Sequence, residues 1–190
     1  MTTNQDIEKP PYDAESMAAF EELMEGAQSD RAIAVLGFAM LDDWLSEVVK
    51  AVIIRPKNQE NKNMLFGPNG FLYTAGAKTE MLFRFGLLPT LTYSDLSLMR
   101  KIRNEFAHSP KAGASFDAEK ISRLTEKLRS AKEMVSFLKP EGVNVDWYEE
   151  HLLSSRGRFV AHVVKVRGDL VSIESVATRR EAPEHPVWTK

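Results

Sequence analysis

From about Asp30 to Ile54 the chain reads as one helix whose first half is apolar nearly all the way round. Ile33, Val35, Leu36, Phe38, Met40, Leu41, Trp44 and Leu45 leave its first half without a polar face. A helix of that kind holds in water only when other elements cover it on several sides. The segment therefore predicts the central helix of a helical domain, with Ser29 as its N-cap. The rest of the chain must then supply the helices that cover it.

The remaining segments carry that helical spacing. Met17, Phe20 and Met24 recur at three- and four-residue intervals after a capping Asp13. Arg55 to Asn63 reads as a polar loop, and Gly67-Pro68-Asn69-Gly70 as a turn. A further helix is expected from about Phe71 to Phe85, with Ala75, Lys78, Met81, Leu82 and Phe85 along one side, closed by Gly86 and Pro89. The next begins near Ser94 or Asp95, turns Met99, Ile102 and Phe106 inward, and stops after His108 because Pro110 disfavours helical geometry at Ser109.

Asp117 then reads as an N-cap, with Phe116 and Ile121 spaced as a hydrophobic staple. Ile121, Leu124, Leu128, Ala131, Val135 and Leu138 make one stripe down to Pro140. From Trp147 a short helix precedes Phe159, Val163, Val166, Leu170 and Ile173, again at helical spacing. The valine content there and Arg167-Gly168-Asp169 also fit a hairpin, so 156–176 is open between the two, with helix preferred. The expected fold class is all-α: a single-domain helical bundle of about six helices with flexible polar termini. Its boundaries are an arm at 1–12, the domain at 13–178 and a tail at 179–190.

Charge and composition narrow the function. The 25 Lys and Arg are spread among 27 Asp and Glu, for a net charge of −2. Duplex-DNA binders usually concentrate basic residues on one face to displace counterions from phosphate, so direct DNA binding ranks last here. The absence of cysteine removes disulfide and thiolate chemistry. Met1 to Pro11 has no apolar core of a signal peptide, and no apolar run approaches the roughly 18 residues that span a bilayer. The expectation is a cytoplasmic protein with no membrane contact.

The best candidate site is Arg103-Asn104-Glu105-Phe106-Ala107-His108. At about 100° per residue, Arg100, Asn104 and His108 form one column of a helix. Arg103 and His108 stand about 140° apart and converge only because arginine is long and His108 is in the last turn. The carbonyl ends of a helix favour imidazolium there. A guanidinium that binds an anion beside an imidazole that moves a proton suits a phosphodiester. The structural alternative is that His108 bonds a loop carbonyl and Arg103 pairs with a carboxylate.

Asp42 falls within the stripe Val35, Phe38, Asp42, Leu45, Val49. A carboxylate there needs a partner, and Arg84, Arg100 and Arg103 are the candidates. If Arg103 is that partner, Asp42 orients the site arginine; Asp42 and Arg100 are thus supporting residues. Gly67 to Gly70 lacks the Lys-Ser/Thr of a nucleotide loop. His108, His151, His162 and His185 show no paired spacing, so neither a metal nor a cofactor is expected.

Three segments, RAIAVLGFAMLDDWL (31–45), GPNGFLYTAGAKTEMLFRFGLLP (67–89) and LMRKIRNEFAHS (98–109), together resemble the mannitol operon repressor (MtlR) family. The resemblance covers roughly 14–176 and is strongest between 31 and 110. It implies a helical domain with a regulatory role, no recognisable DNA-binding motif, and action through a protein partner or small ligand. Arg103 to His108 also resembles the R-x(4–6)-H motif of HEPN domains, helical proteins that often dimerise. In the ribonucleases among them, the arginine and histidine cleave RNA without metal, and Asn104 fits the polar residue that commonly follows the arginine.

Two readings follow. The first is a non-enzymatic regulator acting through a protein or ligand contact. The alternative is a metal-independent endoribonuclease using Arg103 and His108, with Asn104 positioning one of them; RNA is a partner only in this reading. An apolar flank on a six-helix domain leaves room for a homodimer.

Overall fold

The computed structural model describes residues 29–53, 56, 58–108 and 114–177. The helix expected after Asp13, the N-terminal arm and the whole of the tail lie outside them. The described residues form eight α-helices and no strand: α1 (Asp30–Val52), α2 (Gln59–Phe66), α3 (Ala75–Arg84), α4 (Thr90–His108), α5 (Glu119–Glu126), α6 (Ser130–Leu138), α7 (Asp146–Leu152) and α8 (Ser155–Val176). A 3-10 turn at Lys139–Glu141 follows α6. The all-α class holds, with more and shorter helices than the periodicity suggested.

The 156–176 question is answered as helix. Phe159, Val160, Ala161, His162, Val163, Val164, Val166, Arg167, Gly168 and Leu170 are all buried in α8, so Arg167-Gly168-Asp169 is a helical interior rather than a hairpin turn. With apolar side chains on all sides, α8 packs against α1, α4, α5, α6 and α7. It is therefore α8, not α1, that runs through the centre. Helix α1 lies against it, with Gly37 where the two approach: a Cβ at 37 would stand 3.4 Å from Phe159 and Val163. The other side of α1 reaches solvent through Leu36, Ala39, Asp43, Glu47 and Lys50.

Several boundaries move, each for a visible reason. Ser29 caps α1 as expected, accepting from the Ala32 N–H at 3.2 Å. Helix α2 occupies part of the segment read as a polar loop, because Asn58 Oδ1 caps it through the Asn61 N–H at 2.8 Å. The Gly67–Gly70 turn is closed by Gly70 N–H on the Gly67 carbonyl at 2.7 Å. Helix α3 starts at Ala75 rather than Phe71, since Thr74 Oγ1 accepts from the Ala77 N–H. It stops before Gly86, whose φ of 69° is the left-handed conformation that glycine tolerates.

Helix α4 starts a turn early, behind Pro89. This leaves Thr92 and Asp95 buried instead of capping. Asp117 is no N-cap either; Ala118 holds that position without a side-chain bond. The long stripe from Ile121 to Leu138 is two helices, parted at 127–129.

The core gathers Phe38, Leu41 and Leu45 of α1, Leu96, Met99, Ile102 and Phe106 of α4, and Phe159, Val163 and Leu170 of α8, with the ring of Phe116 packed at a tilt between Phe106 and Phe159. Among the described residues no helix is long and apolar enough to cross a membrane.

Candidate functional site

Helix α4 has two unlike sides. Asp95, Leu96, Met99, Ile102 and Phe106 are buried, at the three- and four-residue spacing that puts them on one face. The outward side carries Ser97, Arg100, Lys101, Asn104 and, at the last residue, His108. The packed face fixes the rotation of the helix, and that rotation delivers the polar column to the surface.

Of the residues picked out in the sequence, Arg103 and Asn104 are brought together. Arg103 Nη1 donates to Asn104 Oδ1 at 3.1 Å, and both side chains are half-buried. His108 is exposed, and no hydrogen bond joins it to Arg103. Glu105, between them, is taken by Lys120 at 2.6 Å. Among the described residues Arg100, Lys101 and Arg103 have no carboxylate partner, so this half of α4 presents three uncompensated cations.

Asp42 is elsewhere. Its partner is none of the three arginines but Lys78 of α3, at 2.5 Å. Lys78 also donates to Ser46 Oγ at 2.7 Å and to the Asp42 carbonyl at 3.3 Å. Lys78 is 4% exposed, and its ammonium is the charge that must be matched. The Asp42 carboxylate neutralises it and has no part in orienting Arg103.

Arg100 lies across α3. A Cβ at Gly76 would stand 2.3 Å from its Nη1, so a side chain there would displace the guanidinium from this position. Beside it the ring of Tyr93 stacks on Phe83, with centroids 4.1 Å apart. The Tyr93 hydroxyl donates to Glu80 Oε2 at 2.7 Å, and Arg84 Nε donates to Glu80 Oε1 at 2.7 Å. These two bonds, Tyr93 first, hold the Glu80 carboxyl below its ordinary range; the Tyr93 hydroxyl is raised because its proton is committed to Glu80.

A second polar centre was not foreseen. Asp95 is 1% exposed, and its carboxylate accepts from the backbone N–H groups of Arg129 and Ser130. His162 of α8 lies alongside, with Nε2 3.7 Å from Asp95 Oδ2 and Nδ1 2.6 Å from the Arg158 carbonyl. Nearby, Asp169 accepts from Thr92 and Lys165. This network ties α4 to α6 and α8. The Asp95–His162 pair within it is sealed from solvent, and Nδ1 of His162 is committed to a carbonyl, so the pair serves folding rather than proton transfer to a substrate. Among the described residues no three His, Asp or Glu side chains gather as metal ligands would.

No protein-family model matches the chain, and no curated protein matches it. Among solved structures it is similar to the MtlR chain of the X-ray structure of the MtlR–HPr complex from Escherichia coli. The TM-score is 0.60 and the identity 16%, over 84% of this chain and 99% of that one. At that identity the likeness establishes a shared fold.

Proposed function

We propose that this chain is a regulatory protein that works by binding a protein partner of the HPr kind, rather than by catalysis or by direct contact with DNA. The observation that carries the reading is the shared fold: nearly the whole of a chain crystallised in complex with HPr has its counterpart here. The small net charge supports it, since nothing in the composition supplies the broad basic face of a duplex-DNA binder. A protein contact also needs no cofactor, and a small ligand would act by shifting that contact. The test is to mix the full chain with HPr from the same organism and follow the heat of binding and co-elution. A saturable complex is expected; separate elution with no heat at high micromolar concentrations sinks the reading.

One observation favours a second reading, a metal-independent endoribonuclease. Arg103 has no carboxylate partner among the described residues, so the ion-pair role that competes with catalysis does not claim it, and His108 stands exposed on the same end of α4. In this reading Arg103 holds the phosphate while Asn104 fixes its guanidinium. His108 takes the proton from a 2′-hydroxyl as that oxygen attacks phosphorus, and the P–O5′ bond breaks with the leaving 5′-oxygen taking a proton from water. RNA incubated in chelator with the chain and with His108→Ala decides it. Equal cleavage by both, or by neither, removes the enzyme.

A further inference from the structure

We propose that the cleft between α3 and α4 binds a single small oxyanion, a carboxylate or phosphoryl group, with Arg100 and Ser97 as its donors. The cleft has a volume of about 70 Å³. That is roughly two waters' share of liquid volume, the scale of one such group. Phe38, Ala75 and Leu96 form an apolar floor; Gly76, Thr79, Glu80, Tyr93, Ser97 and Arg100 form the walls.

The polar walls differ in what they have left to give. Thr79 Oγ1 donates to the Ala75 carbonyl, Tyr93 to Glu80, and both Glu80 oxygens are engaged by Tyr93 and Arg84. Ser97 and Arg100, one turn apart on α4 and facing the same cleft, have no hydrogen-bond or ion-pair partner among the described residues. What is unspent is therefore a hydroxyl and a guanidinium beside an apolar floor. Such a set asks for a compact, negatively charged acceptor, and a partly dry setting strengthens charge-assisted bonds.

Gly76 supports this placement over a merely solvated arginine. An ordinary surface arginine asks nothing of its neighbours. Here any side chain at 76 would intrude on Nη1, at 2.3 Å for a Cβ, so the guanidinium, although solvent reaches it, rests against the backbone of α3. The inference does not depend on the protein-contact reading and can fail separately from it.

The experiment is an amide NMR titration of the full chain with inorganic phosphate and, in parallel, with acetate, each at constant ionic strength against chloride. Saturable shifts centred on Gly76 and Ser97 are expected. Arg100→Met should weaken them about tenfold or more. Gly76→Ala should do the same while still folding, because the obstructed atom is the flexible end of Arg100. Phosphate alone acting identifies a phosphoryl site; both acting identifies a general oxyanion site. Shifts that chloride reproduces, that scatter over the surface, or that survive both substitutions overturn the proposal.

Discussion

The carboxylate of Asp95, on α4, accepts a 2.7 Å hydrogen bond from the backbone N–H of Ser130, the first residue of α6. It also accepts from the Arg129 N–H, at 3.1 Å to each oxygen. A side chain far away in sequence thus caps a helix that has no cap of its own. A negative charge at a helix N-terminus is doubly favoured, by the unpaired N–H groups and by the helix dipole. This is why the apolar stripe from Ile121 to Leu138 is parted at 127–129.

Removing that cap should therefore be costly. Asp95→Ala leaves the buried Ser130 N–H and the half-buried Arg129 N–H without their acceptor, and hydrogen bonds to a charged group contribute about 1.5–3 kcal/mol each. A loss of about 3 kcal/mol or more is expected in urea unfolding, with Asp95→Asn intermediate because it keeps an acceptor. An unchanged midpoint for Asp95→Ala would show that α6 does not depend on the carboxylate.

His162 makes stability depend on pH. Burial pushes its imidazole below the ordinary 6.5, against the opposing pull of the Arg158 carbonyl and Asp95; Lys132 and Lys165 push the same way as burial. As pH falls through 6.5 the unfolded chain takes up the proton while the folded chain resists it. The stability is therefore present above 6.5 and drains away below it. His162→Leu should flatten the change in urea midpoint between about pH 7 and pH 5. The same slope in the variant and the parent would rule His162 out as its source.

Both ends of that pair show what was legible in the sequence. Asp95, Met99, Ile102 and Phe106 recur at helical intervals, so the inward position of Asp95 was visible. The preference of aspartate for helix starts hid it, because whether such a residue caps its own helix or another is a tertiary matter. His162 likewise sits among Phe159, Val163 and Val166, where a buried, neutral ring was readable. The helices built on strong stripes, α1 and α4, were plain; α8 was not decided, because its valines and Arg167-Gly168-Asp169 fit a hairpin as well, and α2 was hidden because its capping Asn58 lies in a polar run with no buried face. Asn104 beside Arg103 follows from adjacency. The partner of Asp42 could not be chosen from sequence, since Lys78 is brought to it only by the packing of α3 on α1.

Gly157 should not tolerate alanine. A Cβ there would stand 2.1 Å from the His151 carbonyl oxygen, which is backbone of α7 and has nowhere to go. Forcing the helices apart costs about 1–3 kcal/mol in a packed interior. Gly157→Ala should lower the thermal midpoint clearly, although alanine is the better helix former. A rise in midpoint would mean the contact between α7 and α8 is loose.

The Asp42–Lys78 pair should respond asymmetrically to substitution. The Lys78 side chain is 6% exposed and that of Asp42 is 37% exposed, so the two ends of one 2.5 Å bond meet different surroundings. Asp42→Ala leaves a buried ammonium with only Ser46 Oγ and a carbonyl as acceptors. Stranding a buried charge costs about 3–5 kcal/mol. Lys78→Met keeps the volume and removes the charge, and the surviving carboxylate can turn to water, so a change of less than about 1.5 kcal/mol is expected. Urea unfolding of the two variants measures the difference directly. If Lys78→Met proves the more damaging, the lysine contributes to stability through more than its match to Asp42.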